Sequence, residues 1–214
     1  MDEELLKLIS QEKTEGKELS DEEMEEIVST YLSGIILPAK LEKQIILCPV
    51  GLVGAGKTTV LKPISEKLGL LRISMDEIRE ILIKKGFNLV RTLEMAVRII
   101  DNYIKLGFSL AIDADCITID VQNYLNSIKS KTGAKLIWIH INPPEEFMIN
   151  KLNNYKHGAL FKDAKEALYC YERRKPLHKE FLPKMSFCYE FDTSKNNIDQ
   201  QIENFLDLIK KDLK

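Results

Sequence analysis

The run GLVGAGKTTV, residues 51–60, constrains this chain more than any other stretch. Residues 51–58 meet the pattern GxxxxGK[ST] at every fixed position, directly after the β-prone run QIILCPV and directly before a segment of helical character. Such a loop lets backbone N–H groups converge on a phosphate, in conformations that residues with a Cβ resist. The N-terminus of the following helix adds the positive end of its dipole. The loop residues Gly51, Val53, Gly54, Ala55, Gly56, Lys57, Thr58 and Thr59 are therefore the candidate nucleotide contacts. Lys57 is placed to reach the outer phosphates of a bound nucleotide, and the Thr58 hydroxyl to bind Mg2+.

From Gln44 onward, short β-prone runs alternate with amphipathic stretches, the rhythm of parallel strands joined by crossover helices. Strands are expected at QIILCPV, LLRISM, SLAIDA, KLIWIHI and SFCYEF. Helices are expected near residues 57–67, 76–84, 92–106, 119–130, 144–154, 163–174 and 198–212. This is an α/β body over residues 41–214, preceded by a helical extension over residues 1–40. In the extension, Ser20 and Glu23 fit a capping box ahead of Met24, Ile27, Val28, Tyr31 and Leu32, and Leu5, Leu6, Leu8 and Ile9 suggest an earlier helix.

Residues 1–30 carry eleven acidic residues against three lysines, so a total charge of −2 conceals a mildly basic body suited to anionic ligands. No window approaches the roughly 18 apolar residues of a membrane span, and the start MDEELLK lacks the positive flank of a secretory signal, so a cytoplasmic protein is expected. Cys48, Cys116, Cys170 and Cys188 are scattered without a CxxC pair, which points to reduced thiols and away from zinc. His140 reads as a satisfied core residue, Trp138 as a core aromatic, and His157 and His178 as surface residues.

Asp76 stands at the carboxyl end of the second expected strand, where ligands of open α/β sheets gather, and Arg79 follows one helical turn later. Phosphoryl transfer to an alcohol needs a base for the hydroxyl proton and a cation for any anionic group on the acceptor. The pair offers both, although an Asp ahead of a helix also reads as an N-cap. Asp113, ending the third strand, is placed to hold Mg2+ beside the phosphate loop.

On GLVGAGKTT, SMDEIRE and LAIDAD taken in order, the chain resembles the small P-loop kinases over about residues 44–210, and within them the group of polynucleotide 5′-kinases, zeta-type toxin kinases and related small-molecule kinases. The resemblance implies a three-layer fold with a five-stranded parallel sheet in the order 2-3-1-4-5. It further implies Asp76 as catalytic base or acceptor-binding group and Arg79 as an acceptor contact. Family members commonly show a DAT-like triplet where this chain has Asp113, Ala114 and Asp115, which puts the Asp115 carboxylate in the region that helps form the acceptor pocket. The family's lid, here about residues 145–180, carries arginines, and Lys151 and Lys156 stand in their usual positions. Arg173 and Arg174 are the next candidates for a cation acting on the transferred group, or else a solvated helix end.

The implied reaction is transfer of the ATP γ-phosphoryl group to a hydroxyl of a small molecule, a nucleotide-like compound or a polynucleotide 5′ end. A switch GTPase is disfavoured: NKLN at 150–153 ends in Asn153 rather than Asp, and no DxxG follows the loop. A nucleotide-binding interaction module that uses the acidic extension is the alternative.

Overall fold

The computed structural model describes residues 15–156 and 161–213. The expected helix around Leu5 and the surface placement of His157 fall outside them. Five parallel strands, β1 (Ile45–Val50), β2 (Leu71–Ser74), β3 (Leu110–Asp113), β4 (Lys135–Ile141) and β5 (Tyr189–Phe191), form one sheet in the order β2-β3-β1-β4-β5. This is the order that the resemblance implied. All six residues of β1 are buried, as a central parallel strand covered on both faces requires. Pro49 is tolerated there because β1 pairs with β3 only through Ile46 and Leu47, and the Pro49 carbonyl accepts from Cys116 N–H at 3.0 Å.

Helices cover both faces. One core cluster joins β1, β2 and β3 to α1 (Asp21–Ser33), α3 (Met75–Lys84), α4 (Thr92–Lys105) and α5 (Ile119–Thr132). The other packs α2 (Lys57–Leu68), α6 (Glu145–Asn153), α7 (Ala164–Phe181) and α8 (Ile198–Leu213) against the opposite face. No helix among the described residues is long and apolar enough to cross a membrane.

The capping box forms as the sequence suggests: the Ser20 hydroxyl accepts from Glu23 N–H and the Glu23 carboxylate accepts from Ser20 N–H. Met24, Ile27 and Val28 are then buried in the first core cluster, each contributing roughly 1.5–3 kcal/mol by leaving water. Residues ahead of α1 are stitched to the turn after α3, Lys17 N–H to the Gly86 carbonyl at 2.8 Å and Asn88 N–H to the Lys17 carbonyl at 2.9 Å. Arg91 and Arg98 on and beside α4 pair with Asp21 and Glu25. The acids and the apolar face of α1 are thus matched by partners within the chain.

Two expectations are corrected. The helix expected to end near residue 174 runs on to Phe181 through Pro176, because Tyr171 and His178 are buried on either side of the proline and hold both segments in register. Trp138 is only half-buried, opening onto a shallow groove with Gln122 and Met185.

Candidate active site

The phosphate loop connects β1 to α2. Gly54 and Gly56 adopt φ values of 84° and 88°, left-handed conformations that favour glycine, and a Cβ on Gly51 would meet the Ile141 carbonyl oxygen at 2.8 Å. The N-cap of α2 is Gly56, with no side-chain cap, so the first amides of the helix are left for an anion. Lys57 turns back over the loop, its Nζ donating to the carbonyls of Gly51 at 2.8 Å and Leu52 at 3.0 Å. Burial holds its pKa below the usual lysine value, opposed by the negative charges of Asp115, Asp76 and Asp113. Those carboxylates come from the ends of β2 and β3, so the site is assembled where the strands finish.

Asp113 is 4% exposed. Its Oδ1 accepts from the Thr58 hydroxyl at 3.2 Å and its Oδ2 from Arg72 Nη1 at 2.6 Å. Arg72 also pairs with Glu77 of α3. Thr58 and Asp113 make an oxygen donor set, the kind that suits a hard cation keeping waters and phosphate oxygens as its other ligands. The described residues hold no cluster of three or more His, Cys, Asp and Glu side chains of the kind that cages a metal alone.

Asp76 is not the helix cap. Ser74 takes that position, its hydroxyl accepting from Glu77 N–H at 3.3 Å, which leaves Asp76 in the first turn of α3 with a carboxylate bound to Arg79 Nη1 at 2.8 Å. Burial raises the Asp76 pKa, and the neighbouring Asp113 adds to the rise while Arg79 and Lys57 oppose it. A carboxylate above its ordinary range is better matched to accepting a proton near neutrality.

Asp115 turns toward α7. Its Oδ1 accepts from Gly51 N–H at 3.4 Å, and its Oδ2 lies 2.9 Å from Arg174 Nη2 and 3.0 Å from His178 Nε2. Burial would raise its pKa, but the His178 hydrogen bond and the charges of Lys57, His178 and Arg174 hold it below the usual carboxylate range. His178 is 4% exposed, so its expected surface placement is overturned: four residues after Arg174, it shares the helix face turned toward the site. Arg173, one residue back, is exposed and lies over the Tyr169 ring at 5.8 Å. Lys151 reaches the Gly54 carbonyl at 3.4 Å, whereas Lys156 is exposed beyond the end of α6.

Three participants were not legible from the sequence alone. Arg72 is the one charge in its strand, which was its signal. Thr193 follows β5 and donates its hydroxyl to the Ala55 carbonyl at 2.7 Å, packing against Gly56. His178 was marked only by its four-residue spacing from Arg174. His140 is satisfied as expected, its Nδ1 lying 2.8 Å from Glu190 Oε2.

No family model matches the chain, and no curated protein matches it. Among solved structures, shikimate kinase from Bacteroides thetaiotaomicron aligns with a TM-score of 0.50 at 16% identity, over 78% of this chain and 98% of its own. A structure reported as APE1195 aligns with a TM-score of 0.51 at 18% identity, over 82% of this chain and 100% of its own. An APS kinase from Mycobacterium tuberculosis aligns with a TM-score of 0.47 at 16% identity, over 78% and 98%. At these identities the likeness is one of fold, and the chain has the α/β fold of the P-loop kinases.

Proposed function

We propose that this chain is an ATP- and Mg2+-dependent kinase that transfers the γ-phosphoryl group to a hydroxyl of a small-molecule acceptor. The observation that carries the reading is the convergence of Thr58, Asp113 and Asp76 around Lys57 at the carboxyl ends of β1, β2 and β3. The fold likeness to a protein named as a kinase of a small molecule agrees with it. Bound Mg2+ would neutralise phosphate charge beside Thr58 and Asp113.

In this reading the loop amides and Lys57 hold the phosphates in line with the acceptor. Asp76 accepts the hydroxyl proton as the new O–P bond forms and the bond to the bridging β–γ oxygen breaks, leaving ADP. Arg79, already bonded to Asp76, aims the carboxylate and meets the acceptor. Of the two arginines of α7, Arg174 is held at the site through Asp115 while Arg173 rests on Tyr169, so Arg174 takes the role of the cation in this reading.

The alternative, a non-catalytic module docking through the acidic extension, is less well supported because α1 already spends its apolar face and several of its acids on its own chain. The test is Mg2+-dependent transfer of label from γ-labelled ATP to a panel of small alcohols, sugars, nucleosides and 5′-hydroxyl oligonucleotides, with Asp76→Asn beside the wild type. Transfer to one small-molecule class, lost in the variant, supports the proposal. ATP binding without transfer to any acceptor sinks it.

A further inference from the structure

Asp115 is engaged by more donors than its charge requires. One oxygen, Oδ2, lies within hydrogen-bond distance of both Arg174 and His178, while Oδ1 takes the amide of Gly51, the first glycine of the phosphate loop. The carboxylate side chain is only 10% exposed. A buried carboxylate stripped of its last partner is strongly disfavoured, so an arginine that is its sole partner is held fast. Here the arginine is not the sole partner. Arg174 can leave and Asp115 still keeps His178 and the loop amide.

Resting on the kinase reading, we propose that Asp115 and His178 form a holding site for Arg174. They dock the guanidinium beside the phosphate loop and release it toward the transferred phosphoryl group when nucleotide binds there. His178 is then a positioning residue: it stays on Asp115 and makes the release of Arg174 inexpensive. The helix supplies the geometry, since residues 174 and 178 are one turn apart and present both donors to one oxygen. Asp76, the acid bound to Arg79, has no second side-chain donor of this kind among the hydrogen bonds of the described residues.

The chain has three histidines, so imidazole NMR with isotope-labelled histidine gives few signals, and His178→Gln assigns the one of interest. Adding Mg2+ and a non-hydrolysable ATP analogue should shift the His178 signal, and Arg174→Ala should place it near that shifted position before any nucleotide is added. A His178 signal that stays fixed while the analogue saturates the protein overturns the holding site and leaves the kinase reading standing. An analogue that does not bind at all overturns both.

Kinetics supply a second readout. His178→Leu should lower kcat about tenfold, the scale of one charge-assisted hydrogen bond, with KM for ATP within about twofold. His178→Gln, which keeps an N–H donor of similar reach, should stay near the wild type. Equal losses in the two variants would reduce His178 to a packing residue.

Discussion

The phosphate loop and the Asp115 cluster lie on either side of one glycine, and they are built in opposite ways. The loop is a contiguous run whose shape is set locally, by glycines at φ values of 84° and 88° and by a helix that starts without a side-chain cap. The cluster draws on Gly51, Asp115, Arg174 and His178, which are separated by up to 127 positions and meet only once β3 and α7 are packed. In the kinase reading the local half holds the phosphate, and the long-range half bears on its transfer.

Removing a charge from the local half should give the largest effect. Lys57→Ala is expected to lower transfer by about a thousandfold or more and to weaken ATP binding, because the loop loses its only side-chain cation while its backbone cradle remains. Undiminished turnover, measured with labelled ATP, would mean that the loop is not the reacting site. Asp76→Asn should follow at roughly 10²–10⁴-fold in kcat with nucleotide affinity retained, the range of a lost general base. The same group fixes the pH response. Its folded pKa is raised, so activity should fall as pH drops through a value above the ordinary carboxylate range, and the acidic limb of kcat/KM should vanish in the variant. A limb that survives Asp76→Asn belongs to another residue.

The contrast between Arg174 and Arg173 is the sharper test of the long-range half. Adjacent in sequence, they differ in the structure: one is bound to Asp115 and the other rests on Tyr169. Arg174→Ala should lower kcat by about a hundredfold, and Arg173→Ala should leave it within about twofold. Equal effects would show that α7 rotates or slides on nucleotide binding, and that the arrangement around Asp115 is not the one that matters for transfer.

What the sequence made legible follows the same division. The strands, the helices and the loop were readable because each rests on short-range signals, namely apolar runs, glycine spacing and capping residues such as Ser20 and Glu23, whereas the strand order came from the resemblance to the P-loop kinases. The placement of Asp113 at the end of β3 and of Asp76 just past β2 was readable because the β-prone runs that precede them mark where the strands finish. His178 was not, since a lone histidine four residues from an arginine looks like a solvated helix end until Asp115 is brought against it from 63 positions away. Arg72 was hidden for a related reason: its partner Asp113 is 41 positions on, and only the parallel register of β2 with β3 makes them neighbours. The helix of the extension was legible from its cap and its apolar spacing, but its share of the core, through Met24, Ile27 and Val28, depends on a pairing with the apolar face of α4 that no local pattern specifies.

The smallest of these effects tests whether the local half is as local as its sequence suggests. Thr193, from the loop after β5, donates its hydroxyl to the Ala55 carbonyl at 2.7 Å, and its side-chain atoms lie 3.1–3.3 Å from where a Cβ on Gly56 would fall. The loop is therefore buttressed from a distance by a residue outside the motif. Thr193→Val keeps the volume and removes the hydrogen bond, so ATP-analogue affinity should weaken by about fivefold, near 1 kcal/mol, with kcat unchanged. No change would mean that the glycine conformations and the helix start hold the cradle open unaided. A loss comparable to that of Lys57→Ala would mean the reverse: the motif alone would not make a phosphate site, and the closure of β5 against β4 would be as much a part of nucleotide binding as the glycines themselves.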